Sequence, residues 1–290
     1  MDEPADPKQF MGQRSGKSTL ERCRFIILPV PCEKTVSYGG GTAAGPKAIV
    51  KASGQLELWD EEVKRETWKQ GICTLPPFDC RSGTKAFFSG LKKKTEKLLQ
   101  LDRAVPFFLG GEHSITQALL PAFIQKYPGL SILHFDAHAD LRSEYEGSSH
   151  SHACALYPAS RKCRIVQAGI RSVAPEEKQN INSGNVKTFL MHEHLEINSL
   201  IKKVLSCLTK EVYLTIDVDG FDPSVIPGTG TPQPGGFSWH DGLKLFRAVC
   251  GKKKVVGVDV VETAPQKGTT VSEFAAAKLV YRLMGYLSEK

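Results

Sequence analysis

The sequence predicts one α/β domain of three layers, with an eight-stranded parallel sheet between helices. Three observations predict it: near-continuous apolar runs of strand length, amphipathic stretches between them, and polar residues gathered where several runs end. Strand-like runs fall at residues 25–30, 72–75, 105–109, 131–135, 164–168, 186–190, 212–216 and 255–260. Val, Ile, Leu and Phe fill them with little alternation, which marks strands covered on both faces. Helical patterns separate them at 85–101, 115–126, 200–208, 239–249 and 271–287. No repeat or linker interrupts residues 23–290, which read as a single domain. Residues 1–22 are polar and without periodicity, and read as a flexible arm.

Composition sets the class. At 290 residues, 41% hydrophobic and 24% charged, the chain is an ordinary globular one. The net charge of +7 is dispersed; the clusters Lys92, Lys93, Lys94 and Lys252, Lys253, Lys254 read as solvated faces, not as a nucleic-acid surface. No apolar run approaches the roughly 20 residues of a membrane span, and the N-terminus is acidic and polar, so a soluble cytoplasmic protein is expected. Eight scattered cysteines without a Cys-x-x-Cys are expected to be reduced thiols. Gly12-Gln-Arg-Ser-Gly16-Lys17-Ser18-Thr19 imitates a phosphate loop, but it has three residues between its glycines where four are needed, and no strand precedes it.

Four runs end directly in Asp, Glu, His or Gly. Leu109 leads into Gly110-Gly-Glu112-His113-Ser114, and Phe135 into Asp136-Ala-His138-Ala-Asp140. Ile216 leads into Asp217-Val-Asp219-Gly-Phe-Asp222, and Val258 into Asp259-Val-Val-Glu262. Open parallel sheets bind ligands beyond these carboxyl ends. A period of two points alternate residues of an extended strand end the same way. His113, Asp136, His138, Asp140, Asp217 and Asp219 therefore offer four carboxylates and two imidazoles at one rim. Unpaired, the carboxylates would repel, whereas two divalent cations would balance them; oxygen-rich donors with two imidazoles suit Mn²⁺. Asp-x-His also opens a metallophosphoesterase pattern, but no Gly-Asn-His-Asp/Glu follows.

The ordered motifs GGEHS, FDAHADLR, SHACAL, TIDVDGFDPSVIPGTGTPQPGG and GVDVVETAP, with SYGGGTAAGP upstream, resemble the ureohydrolase (arginase/agmatinase) family over residues 25–287 or so. The resemblance implies the arginase-like three-layer fold and a dimanganese centre. His113, Asp136, Asp140 and Asp217 would hold one ion. His138, Asp136, Asp217 and Asp219 would hold the other, with Asp136 and Asp217 bridging. It further implies that Glu262 orients the substrate guanidinium. Asp140 and His152 would serve the proton transfers, His150 being a loop residue. Arg142 stands where arginases carry the Asn that meets the substrate α-carboxylate, and residues 169–177 lack the acid that meets its α-amino group. The segments 141–152 and 227–232 instead resemble bacterial and archaeal agmatinases, with Glu144, Tyr145 and Glu146 suited to a terminal ammonium. The resemblance thus implies hydrolysis of agmatine to urea and putrescine, or of another guanidino substrate such as guanidinobutyrate, guanidine or arginine. No ligand of the motif is missing, which argues against an inactive binding protein. Glu112 replaces an Asp common in the family. A homo-oligomer, trimeric or hexameric, is expected.

Overall fold

The computed structural model describes residues 9–12 and 20–289 of the chain. Eight parallel strands form one sheet: β1 (Phe25–Val30), β2 (Ile72–Thr74), β3 (Val105–Gly110), β4 (Ser131–Phe135), β5 (Arg164–Ile170), β6 (Val186–Leu190), β7 (Glu211–Asp217) and β8 (Lys254–Val261). Their order is β2-β1-β3-β8-β7-β4-β5-β6. Every expected run became a strand, with ends moved by at most two residues. The principal helices are α1 (Gly45–Ser53), α2 (Thr84–Leu98), α3 (Ser114–Lys126), α4 (Tyr157–Ser160), α5 (Ile197–Cys207), α6 (Trp239–Lys252) and α7 (Val271–Leu287). Apolar residues of α1, α5, α6 and α7 pack in one core cluster, and those of α2, α3 and α4 in the other. The sheet lies between these two layers. Among the described residues no helix is long and apolar enough to cross a membrane.

Strand order places the site. The four runs that end in polar residues are β3, β8, β7 and β4, which are neighbours at the centre of the sheet. Leu109 and Ile216 both pair with Val260, and Phe135 pairs with Ile216. These four residues form one row, so the polar residues that follow emerge side by side. Gly169 makes room next to them: a bulge interrupts β5 there, its φ is +103°, and a Cβ would lie 2.8 Å from the Asp136 carbonyl oxygen.

Four expectations change. The cysteines are not all free: Cys23 and Cys73 form a disulfide, with Cα atoms 5.9 Å apart. Pairing of β1 with β2 brings these two distant positions together, which spacing in the sequence does not reveal. The other six form no disulfide. Within the stretch read as a loose arm, Phe10 and Met11 are buried in the core, and their backbone N–H groups donate to Thr74 Oγ1 and Ser53 Oγ, each at 2.9 Å. The phosphate-loop imitation lies outside the described residues except for Gly12. Helices α1 and α4 were not expected: α1 opens on Gly45-Pro46 and is short, and α4 spans a single turn. Finally, α5 starts at Ile197, three residues before the expected start, because the Glu196 carboxylate caps it by accepting from the N–H groups of Asn198 (2.9 Å) and Ser199 (2.6 Å).

Candidate metal centre

The strand ends bring together the residues that the sequence singled out. His113 follows β3, and its Nδ1 lies 3.0 Å from Asp140 Oδ2, 3.1 Å from Asp136 Oδ2 and 3.5 Å from Asp217 Oδ2. His138 Nδ1 lies 2.9 Å from Asp219 Oδ2 and 3.6 Å from Asp136 Oδ1. Asp136 is thus shared, one oxygen toward each imidazole. The donor atoms of His113, His134, Asp136 and Asp140 lie within 4.8 Å of one another, as do those of Asp136, His138 and Asp219. Two groups joined by a common carboxylate could each hold a metal ion.

Hydrogen bonds tell which ring atom of His113 faces the acids. Thr215 Oγ1 donates to Asp259 Oδ1 at 2.7 Å, so it accepts from His113 Nε2, 2.8 Å away. The lone pair of a neutral ring is then on Nδ1. That atom is fully buried, has no hydrogen-bond partner and faces three carboxylate oxygens. A buried acceptor directed at acceptors is unfavourable unless a cation stands between them, so the donor set fits a metal.

The electrostatics agree. Burial, with the charges of Asp219 and Asp136, pushes the Asp217 carboxyl well above its ordinary value, and burial with Asp136 raises Asp219. For Asp136 burial acts in the same sense, but His134, His113 and His138 outweigh it and hold the group well below the usual range. Burial opposes charge on both imidazoles. Even so, Asp136, Asp140 and Asp217 raise His113, and Asp219 with Asp136 brings His138 up to about 12. The acids thus favour positive charge at both rings, which is the charge a cation would bring there.

A cavity of about 220 Å³ opens over this cluster. Asp140, Asp217, Asp219, His113, His138, His152 and Glu262 all line it. Asp140 and Glu262 adopt left-handed backbone, φ +52° and +64°, conformations uncommon outside glycine that recur at functional sites. Glu262 Oε1 accepts from the His113 N–H at 2.6 Å, and its own N–H donates to the Gly111 carbonyl at 2.7 Å. Burial is the main cause raising its pKa, to about 8. His152 is half-buried with Nδ1 3.3 Å from Thr35 Oγ1, whereas His150 packs its ring 4.5 Å from that of Phe88. Glu112 is fully buried, and its Oε2 accepts from the N–H groups of Lys34 (2.7 Å) and Thr35 (2.6 Å). It thereby fastens the segment that carries Thr35, and so His152, to the end of β3.

At the mouth, Tyr145 lines the cavity, but Glu144 and Glu146 are exposed and do not. The expectation of acids from that loop is corrected accordingly. Tyr145 and Ser148 close a tight turn, and Glu146 within it adopts left-handed backbone, φ +49°, with its carboxylate in solvent. A further acid of the lining is Glu177, which accepts from the N–H groups of Leu141 (2.8 Å) and Ala174 (2.9 Å). Arg142 Nε donates to Glu176 at 2.8 Å, and its guanidinium stacks 4.6 Å from the Tyr145 ring centre.

Arg171 was also not singled out in the sequence. Its guanidinium donates to backbone carbonyls of Asp219 (2.6 Å), Gln233 (2.7 Å), Gly169 (3.0 Å), Pro234 (3.1 Å) and Phe221 (3.2 Å). It ties the turn carrying Asp219 to the loop at 233–236. One half-buried guanidinium holding several segments has no short motif that would mark it.

A family profile matches this architecture and these residues. The profile described as the arginase family covers residues 23–285, nearly the whole chain.

The chain belongs to the arginase family.

Its relatives share most of its length. An N(1)-aminopropylagmatine ureohydrolase of Synechocystis sp. is 36% identical over 98% of this chain and 95% of its own. An agmatinase of Halalkalibacterium halodurans is 32% identical over 98% of each. Among solved structures, the agmatine ureohydrolase of Thermoplasma volcanium superposes with a TM-score of 0.88 at 26% identity, covering 97% of this chain and 94% of that one. This arginase-family protein is accordingly a ureohydrolase, a hydrolase of guanidino C–N bonds.

Proposed function

We propose that this arginase-family ureohydrolase removes urea from a guanidine whose far end is an amine, with agmatine, which yields putrescine, as the primary substrate. The observation that carries the reading is the pair of His/Asp groups sharing Asp136 under a cavity that Glu262 also lines. His113, Asp136, Asp140 and Asp217 would hold one Mn²⁺. His138, Asp136, Asp217 and Asp219 would hold the other. Two such ions supply Lewis acidity and lower the pKa of a water to the neutral range. The remaining work belongs to the chain. Glu262, fixed at one oxygen by the His113 N–H, would accept from the guanidinium with the other and hold its carbon over the acid cluster. Asp140 would carry the proton needed by the departing amine, and His152, at the cavity wall, would exchange it with solvent.

Arginine fits less well. Its α-carboxylate would need donors, and Arg142, the cation at the expected place, is engaged with Glu176 and Tyr145. A second reading, N(1)-aminopropylagmatine, is favoured by the 36% identical relative of that name. Tyr38 and Tyr145 at the open mouth offer ring faces on which the added ammonium could rest. Urea release from agmatine, N(1)-aminopropylagmatine, guanidinobutyrate and arginine with Mn²⁺ separates the readings. Agmatine should exceed arginine in kcat/KM by about 100-fold, some 2.7 kcal/mol. Faster turnover of the aminopropyl compound would select the second reading, and faster turnover of arginine would refute both. With the family resemblance we also infer a trimeric or hexameric assembly and a cytoplasmic setting.

A further inference from the structure

Beneath the acid cluster a second row of polar side chains crosses the sheet. Thr188 pairs with Gln167, Gln167 with His134, His134 with Thr215, and Thr215 with Asp259. Each of five neighbouring strands, β6, β5, β4, β7 and β8, thus contributes one polar residue at the same level. All five are buried. Such groups are costly unless paired, and these are paired with one another.

The β4 side of the row leads to a proposed ligand. Thr188 Oγ1 donates to Gln167 Oε1 at 2.7 Å. Gln167 Nε2 donates to the Ala139 carbonyl at 2.6 Å and lies 2.9 Å from His134 Nδ1. His134 Nε2 lies 2.7 Å from Asp136 Oδ2. The protons in this chain are determined by chemistry. A backbone carbonyl only accepts, so the amide nitrogen of Gln167, not its oxygen, faces Ala139. An amide nitrogen only donates, so His134 Nδ1 accepts, and the ring proton is on Nε2, directed at Asp136. By distance His134 belongs to a metal-binding group, but both of its nitrogens are occupied, so it is not a ligand.

We propose that His134 is a positioning residue for the metal centre: its Nε2–H fixes the Asp136 carboxylate with Oδ2 toward His113 and Oδ1 toward His138. The inference rests on the reading of the cluster as a metal site. A carboxylate shared between two groups must hold one orientation to serve both. His134 lies in β4 and Asp136 directly follows its end, close enough for the 2.7 Å contact, while Gln167, itself held by Thr188, fixes the ring with Nε2 toward the carboxylate.

Calorimetric titration of the metal-free full chain with Mn²⁺ tests this, with melting temperatures of the metal-free proteins recorded alongside. His134→Leu should weaken Mn²⁺ binding by about 10–100-fold, the usual effect of losing a partner that orients a ligand. His134→Gln, whose amide can place an N–H where Nε2 stands, should recover most of that loss. A role in packing alone would not separate the two variants. Should His134→Leu fail to fold, Gln167→Leu keeps the imidazole, removes its lock and should weaken binding in the same direction. Wild-type Mn²⁺ affinity in a folded Leu variant at either position, or equal loss in His134→Gln and His134→Leu, would overturn the inference. Absence of Mn²⁺ binding in the wild type would instead overturn the metal reading on which it rests.

Discussion

Replacing Glu262 with Gln removes one negative charge and little volume. The new amide oxygen can still accept from the His113 N–H, a contact of 2.6 Å, so the turn after β8 should persist. The other oxygen becomes an NH₂, which donates toward a substrate group that also only donates. A hydrogen bond to a charged group contributes about 1.5–3 kcal/mol, and opposing donors add to its loss, giving about 2–4 kcal/mol in all. At 1.36 kcal/mol per decade, kcat/KM for agmatine should fall by about 30- to 1,000-fold. The assay is urea release against agmatine concentration at saturating Mn²⁺, with metal content measured on the same samples. Metal content should stay at the wild-type level. Burial raises the Glu262 pKa from 4.5 to about 8 in the folded chain, which favours its neutral form. The stability from this group is therefore complete below the ordinary carboxylate value and is lost as pH rises through about 8. A permanently neutral Gln lacks that loss, so the metal-free variant should outlast the metal-free wild type at pH 9 in thermal melts. A Glu262→Gln enzyme that keeps wild-type kcat/KM with full metal content would refute the assigned role.

Other outcomes follow from the same geometry. Phe10→Ala should cost about 3–5 kcal/mol in denaturant unfolding of the full chain, because its ring is fully buried; a loss under about 1 kcal/mol would mean that residues 9–12 are not seated on the core. Arg171→Met leaves several backbone carbonyls without their charged donor and should destabilise by at least about 3 kcal/mol, with weaker Mn²⁺ binding through the turn that carries Asp219. A variant with wild-type melting temperature would show that those carbonyls find other partners.

The eight strands were legible because each is covered on both faces and so is written as an apolar run. The acid cluster was legible because Asp-x-His-x-Asp and Asp-x-Asp begin where such runs stop. What escaped depended on pairing between strands. Cys23 meets Cys73 only when β1 and β2 align. His134, Gln167 and Thr188 each look incidental inside SILHF, RIVQAGI and VKTFL, and their alignment appears only with the register of β4, β5 and β6. A signal was present, since a polar residue inside a buried strand needs a partner, but the sequence does not say which. The loop at 144–146 was misjudged because charge is visible in a sequence and the direction of a side chain is not.

The proposed two-metal centre is built from His113, Asp136, His138, Asp140, Asp217 and Asp219. Its most direct test is elemental analysis of the Mn²⁺-loaded protein, paired with urea release before chelation, after chelation and after return of the metal. Close to two Mn²⁺ per chain are expected at saturation, with activity that disappears in chelator and returns with Mn²⁺. Saturation at one ion per chain, or undiminished urea release from the metal-free protein, would contradict it.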